Sequence, residues 1–359
     1  MRWWFTNDTN GEGNMLRRAF LNGVLLAGAI GLTGPTAIAQ DIPDRTIRIG
    51  FAAHSIELGA LFGQLREGFR AHLDAAGVKY EFFEAAPDAS SNHAAMLRIL
   101  EDMAALGLDY LLVGPTSLQL NEPGLEAVAA AGTKLLMTDY TRPDEGVPYD
   151  DAVLNWVVYS HSEMGFKSGE WLGDELRARG KLEPNIVVLW GPAASEISEQ
   201  RGQGALKGLG THADLKPEIV YEAHADFNRQ KAYDETERAL AAYDFDAVIG
   251  LNSYMAVSAK NAIQAAGKLD DIVVVGMGGT VDELQAVALR EIGCAPFRDP
   301  RAMGRASATA LIQHLTGREA DIRKTVYSDI PVLDNAYRIR HTVAPEMFDV
   351  VAFLNEQAQ

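Results

Sequence analysis

The sequence predicts an α/β protein built from two doubly wound parallel-sheet lobes joined by a hinge. Three features predict it. Short, β-branched apolar runs alternate with longer amphipathic stretches along most of the chain. Most of those runs are continuously apolar, as expected of parallel strands covered on both faces. The alternation also breaks near the middle, after four strand–helix units, and then resumes for about four more.

The first unit pairs a strand at Ile47–Ala53 with a helix at Leu61–Ala76. The second pairs Tyr80–Glu84 with Ala94–Leu106, and Asp88-Ala89-Ser90-Ser91 supplies polar capping residues ahead of that helix. Strands at Tyr110–Gly114 and Lys134–Thr138 follow. Tyr140 to Asp151 is turn-rich, with Pro143, Pro148 and four acids, and marks the break. A β-like segment, Val153–Ser160, leads into a helix at Glu163–Arg179. Strands at Ile186–Trp190, Ile219–Ala223, Ala247–Leu251 and Ile272–Gly276 alternate with helices that include Gln230–Ala242 and Met255–Ala266. Gly77, Gly107, Gly180 and Gly267 stand where four helices end, because glycine takes the left-handed conformation cheaply. Thr325–Leu333 reads as a late strand. The expected division is a leader over 1–39, a first lobe over 40–153 plus about 296–324, and a second over 154–295 plus about 325–359. In such sheets ligands bind beyond the carboxyl ends of the strands, here in a cleft between lobes.

Composition excludes several alternatives. Among 359 residues, 49 Asp and Glu oppose 32 Lys and Arg, for a net charge of -17. Such a chain repels phosphate backbones, and no basic run offsets this, so no nucleic-acid partner is expected. The single cysteine, Cys294, excludes internal disulfides and multi-cysteine metal sites. Its apolar surroundings predict a buried, inert thiol.

The leader reads as an export signal. Arg17-Arg18 precede Phe20-Leu21, then a glycine-rich apolar run, Gly23–Leu32, and the small-residue cleavage pattern Ala37-Ile38-Ala39. The run is shorter than the roughly 20 apolar residues of a membrane span. The paired arginines resemble a twin-arginine signal, with Sec export the alternative. Met15 is a second plausible start. The expected mature chain begins near Gln40, stays acidic, and lies free in the periplasm as a monomer.

Four segments then resemble type I periplasmic binding proteins of the ribose type. Ser198-Glu199-Gln200-Arg201-Gly202-Gln203-Gly204 resembles their Glu-Arg-Gly-x-Gly-Phe segment, and Ala225-Asp226-Phe227-Asn228 resembles Ala-Asp-Phe-Asp. Asn252-Ser253-Tyr254-Met255-Ala256 resembles Asn-Asp-x-Met-Ala, and Val275-Gly276-Met277-Gly278-Gly279-Thr280 resembles Val-Gly-Phe-Asp-Gly-Thr. Thr133–Leu136, Gly276–Gly279, Arg298-Asp299 and Thr325–Ser328 further resemble the autoinducer-2-binding branch, in which the arginines matching Arg201 and Arg298 hold an anionic borate diester. Glu57 and Asp139 depart from that branch, which has amides there, and Met277 replaces its tryptophan.

The resemblance implies a binding module without cofactor, metal or enzymatic activity, with a small polar ligand. It implies delivery to an ABC importer's membrane subunits or, alternatively, docking on a sensor kinase's periplasmic domain. The candidate ligand-binding residues are Glu57, Phe62, Asp139, Arg201, Phe227, Asn252, Met277 and Arg298. Arg201 can grip hydroxyls or an anion bidentately. Asp139 and Asn252 follow strands and can bond hydroxyls. Phe227 either stacks on a sugar's ring face or belongs to the core. Gly278 stands where ribose-type proteins carry an aspartate, and Arg298 where they carry a glutamine, so the cleft is expected to favour an anionic, sugar-like ligand over plain ribose. Gly276-x-Gly278-Gly279 is no dinucleotide fingerprint, because Val281 holds the third glycine position. The eight histidines show no metal-ligand spacing, and His161 reads as a helix start.

Overall fold

The computed structural model describes residues 42–56 and 58–358; the expected leader and Glu57 lie outside them. Two parallel sheets form, each covered by helices. In the first, β1 (Ile47–Ala52) lies between β2 (Tyr80–Ala85) and β3 (Tyr110–Val113), followed by β4 (Lys134–Thr138) and β5 (Val153–Val158). A late strand, β11 (Thr325–Tyr327), closes the far edge beside β5, with Thr325 opposite Trp156. The second sheet runs β7 (Glu218–His224), β6 (Asn185–Trp190), β8 (Ala247–Gly250), β9 (Val273–Val275). Buried triplets such as Leu111–Val113 and Val273–Val275 explain the continuous apolar runs.

The pairing corrects the expected lobe boundaries. Val153–Val158 and Thr325–Tyr327 belong to the first sheet, whereas the sequence division assigned nearly all of both to the second lobe. The physical reason is that β5 completes the first sheet before the chain leaves it, and its outer edge is paired only when the distant β11 returns. The late strand predicted as one piece is also two. β11 joins the first sheet, while β12 (Val332–Leu333) pairs antiparallel with β10 (Ala295–Pro296) beside the second. The chain therefore crosses between sheets three times: after β5, after β10 and after β11.

Gly77, Gly107, Gly180 and Gly267 all have positive φ, as their helix-ending role requires. The helix after β2, α2 (His93–Ala105), is capped by Asn92, whose side chain accepts from the Ala95 amide, one residue beyond the predicted polar cluster. Trp156 is fully buried, whereas Trp171 and Trp190 are part-buried and donate to Asp334 and Glu222. Cys294 is buried, and burial pushes its thiol pKa up, as its apolar context predicts. Among the described residues no helix is long and apolar enough to cross a membrane, and no cluster of metal-ligating side chains occurs.

One helix pair sets the relative position of His161 and Arg201. α4 (His161–Ala178) follows β5, and α5 (Glu196–Leu209) follows β6. They touch backbone to backbone, because a Cβ on Gly165 would lie 2.0 Å from the Arg201 carbonyl oxygen and one on Gly208 2.0 Å from that of Phe166. This approach brings His161, in the first turn of α4, beside Arg201 on α5. Gly165→Ala should therefore destabilise. Helix propensity favours alanine by about 1 kcal/mol, but overpacking costs about 1–3 kcal/mol, and a 2.0 Å contact with backbone leaves little relief. A lower urea midpoint at unchanged m-value is the expected result; an unchanged midpoint contradicts it.

Candidate functional site

Both sheets end their strands at one cavity. The first contributes His54 after β1 and Asp139 after β4; the second contributes Phe227 after β7, Asn252 after β8 and Met277 after β9. Arg201 enters from α5 and Arg298 from the crossing after β10. Six of the eight predicted residues, Asp139, Arg201, Phe227, Asn252, Met277 and Arg298, thus line a single space. Glu57 lies outside the described residues. Phe62 does not line the cavity, which corrects its expected role. It sits in α1 (Gly59–Ala76), 2 % exposed, with its ring 6.1 Å from and nearly parallel to that of His54, and against Gly114. It supports His54 from behind.

Asp139 and Arg201 anchor a buried polar network. Asp139 holds φ at 75°, a left-handed conformation that costs a non-glycine residue free energy and clusters at functional sites. The Tyr159 hydroxyl donates to Asp139 Oδ1 at 2.7 Å and accepts from Arg201 Nη2 at 2.8 Å. Arg201 Nη1 donates to the Leu251 carbonyl at 2.8 Å, and its Nε donates to His161 Nδ1 at 3.3 Å. His161 Nε2 in turn donates to the Asp139 carbonyl. That chain of donors fixes His161 as the neutral Nε2–H tautomer. Burial, helped by Arg201, accordingly depresses its pKa to about 4. Burial likewise takes His54 to about 4.

The charge balance favours cations. Arg298 Nη1 lies 3.4 Å from Asp139 Oδ1, and its guanidinium sits 4.5 Å over the Tyr159 ring. Nη1 has an ion-pair neighbour but no acceptor in hydrogen-bond geometry. Burial raises the Asp139 pKa, but Arg298 foremost, then His161, His54 and Arg201, outweigh it and bring the carboxyl below its ordinary value. Burial lowers Arg201 to about 10, so it stays charged at neutral pH. Among the residues that line the cavity, one carboxylate therefore faces two guanidinium groups, while Glu283 acts on Arg201 from behind the wall.

The remaining candidates take definite roles. Asn252 caps α7 (Ser253–Ala265), its side-chain oxygen accepting from the Met255 amide at 2.8 Å. Its NH₂ reaches the Phe227 carbonyl at 3.5 Å with one hydrogen, which leaves the other N–H for the cavity. Phe227 sits at φ 58° in a slot made by Gly191, where a Cβ would meet its ring at 2.4 Å. Its ring lies 5.9 Å from the Arg201 guanidinium and is 3 % exposed, so it is core and cavity wall together.

Sequence reasoning missed His54, Tyr159 and Ser253, and saw His161 only as a helix start. All four stand just past strands or at helix starts, the signal that found Asp139 and Asn252. The space left by these side chains is about 30 Å³, room for water but not a sugar ring. Entry of a solute requires the lobes to part. One contact holding them lies outside the cavity. Ser117, which caps α3 (Leu118–Ala130), donates to Glu196 Oε1 at 2.9 Å, and the Tyr140 hydroxyl lies 3.4 Å from Oε2.

Comparison with known proteins agrees with this architecture. Residues 49–319 match the family model described as a periplasmic binding protein domain. The chain is 26 % identical over 266 residues to the ribose import binding protein of Bacillus subtilis, covering 74 % of this chain and 80 % of that protein. It is 26 % identical over 298 residues to a putative rhizopine-binding protein of Rhizobium meliloti, covering 82 % and 92 %. Its fold matches an ABC transporter solute-binding protein of Agrobacterium vitis with bound D-fucose, at a TM-score of 0.73 and 17 % identity, over 84 % of this chain and 100 % of that one. With the two-sheet fold, the strand-end cavity and a family match over most of its length, the chain belongs to the type I periplasmic binding proteins of the ribose type.

Proposed function

We propose that this protein captures a small sugar-like or polyol ligand in the periplasm and delivers it to an ABC importer, and that the ligand carries an anionic group. The observation carrying the second part is the buried pair Arg201 and Arg298 facing one carboxylate, with Arg298 Nη1 lacking a hydrogen-bond acceptor. A buried donor without an acceptor is costly, and a carboxylate, phosphate or borate diester on the ligand supplies one. Gly278 removes the acid that ribose-type proteins carry there, which shifts the cleft further toward anions. The relatives named for import support transport, and nothing in them favours the sensor-kinase alternative.

Mass spectrometry of solute released from purified protein, followed by calorimetry with D-ribose, myo-inositol and D-galacturonate, tests the proposal. The acid is expected to bind more tightly than the neutral solutes. Tight binding of ribose with no binding of the acid sinks the anionic reading.

Ligand held between the lobes stabilises their closed arrangement, which the membrane subunits then recognise. Glu196 contributes to closure without touching the cavity's arginines. Glu196→Ala removes a hydrogen bond to a charged group, worth about 1.5–3 kcal/mol. It should weaken ligand binding roughly tenfold or more, chiefly through faster release. Unchanged calorimetric affinity and release rate contradict this.

A further inference from the structure

Behind the cavity wall lies a carboxyl that the binding network does not use. Glu283 sits on α8 (Val281–Ala288), fully buried. Its Oε2 accepts from the Ser253 hydroxyl at 2.6 Å and from the Gly279 amide at 2.7 Å, while Oε1 has no hydrogen-bond partner. Because Oε2 receives two donors, any proton the group carries resides on Oε1. The charged and titratable groups around it are Arg201 from α5, Asp282 on its own helix and Cys294 from the segment beside β9.

Ser253 lines the cavity. Its one hydrogen has two acceptors on the protein side, Glu283 Oε2 at 2.6 Å and, at the longer 3.5 Å, the Met277 carbonyl, and it accepts from the Thr280 amide at 3.3 Å. Toward a ligand it therefore presents a lone pair and no donor. Neighbouring Asn252 presents the opposite, one N–H, since its oxygen serves the helix cap and its other N–H reaches the Phe227 carbonyl. The ribose-type pattern places acids at 253 and 278. Here a Cβ on Gly278 would lie 2.6 Å from Ser253 Oγ, and one on Gly276 2.0 Å from Glu283 Oε1. The Ser253–Glu283 pair thus occupies the volume that side chains at those glycines would need.

We propose that Glu283 is a positioning residue that locks Ser253 as an acceptor, so that Asn252 and Ser253 together read a ligand hydroxyl, the group that accepts from one and donates to the other. A carbonyl or carboxylate at that point leaves the Ser253 lone pair opposed by another acceptor, and an ammonium leaves the Asn252 donor unmet. The arginines take the acceptor-rich end of the ligand and this pair takes a hydroxyl at the other, so the inference rests on the sugar or polyol reading of the cavity.

The test is a double-substitution cycle read by calorimetry, using whichever of D-ribose, myo-inositol and D-galacturonate binds the wild type most tightly. Ser253→Ala and Glu283→Leu should each weaken binding about tenfold, the scale of one buried hydrogen bond to a polar ligand group. Glu283→Gln, whose oxygen can still accept from Ser253 and Gly279, should stay within about threefold of wild type by the same scale. In the Ser253→Ala background, Glu283→Leu should cost little further affinity, since nothing remains to position. A purely structural role predicts an equal loss in both backgrounds, and that result overturns the proposal. Should Glu283→Leu fail to fold, Ser253→Ala alone decides: unchanged affinity overturns the hydroxyl reading. No binding of any probe by the unsubstituted protein overturns the sugar or polyol reading itself, and is seen before any substitution is made.

Discussion

Arg201→Ala is expected to reduce ligand affinity by at least a hundredfold and to lower stability at the same time. Arg201 is 4 % exposed and joins three partners from different segments: the Leu251 carbonyl after β8, the Tyr159 hydroxyl after β5 and His161 on α4. Alanine leaves the carbonyl without this donor and removes one of two cations opposing Asp139. Breaking such a buried charged network costs about 3–5 kcal/mol, because the partners stay buried. Arg201→Lys should recover little, since a single ammonium cannot reach three acceptors in a fixed fork. Urea unfolding gives the stability effect and calorimetry with a solute that binds the wild type gives the affinity. Binding within tenfold of wild type in the alanine variant contradicts the central role of Arg201.

The elements that sequence reading located were those whose signal is local. Continuous apolar runs marked β3, β4, β6, β8 and β9, and the residues just past β4 and β8 included Asp139 and Asn252. What it could not supply was the partner of each strand. Val153–Ser160 was legible as β-like, but its place in the first sheet depends on neighbours far away in sequence, including Thr325–Tyr327. Side-chain direction was equally hidden. Phe62 and His54 lie in the same βα segment, yet His54 faces the cavity and Phe62 packs beneath it. Glu283 illustrates the limit best. An acid in the first turn of a helix reads as solvated and favourable to the helix dipole, and only the fold reveals that it is buried behind Ser253.

The second large effect is at Asp139, where charge and backbone strain can be separated. Asp139→Ala removes the carboxylate facing Arg201 and Arg298 and also places alanine at φ 75°. The first loss is on the scale of about 3–5 kcal/mol, the second adds about 1 kcal/mol or more. Asp139→Asn removes the charge alone, since asparagine tolerates the left-handed region. The pH dependence then isolates that charge. Because the folded carboxyl titrates below its ordinary value of 3.8, its stabilisation is complete above that value and is lost as pH falls through the folded pKa. At pH 7 the asparagine variant should therefore be less stable than wild type. The gap should narrow as the pH falls below 3.8 and through the lower folded pKa, since a protonated Asp139 is as neutral as the amide. His54 and His161, both held near 4 and both raised by the Asp139 carboxylate, lose that support in the asparagine variant, so the difference between the two unfolding curves reports on Asp139 together with the two histidines it faces. Urea midpoints at pH 7 and pH 3 measure it. A stability gap that stays constant between them shows that Asp139 acts through its hydrogen bonds and not through its charge.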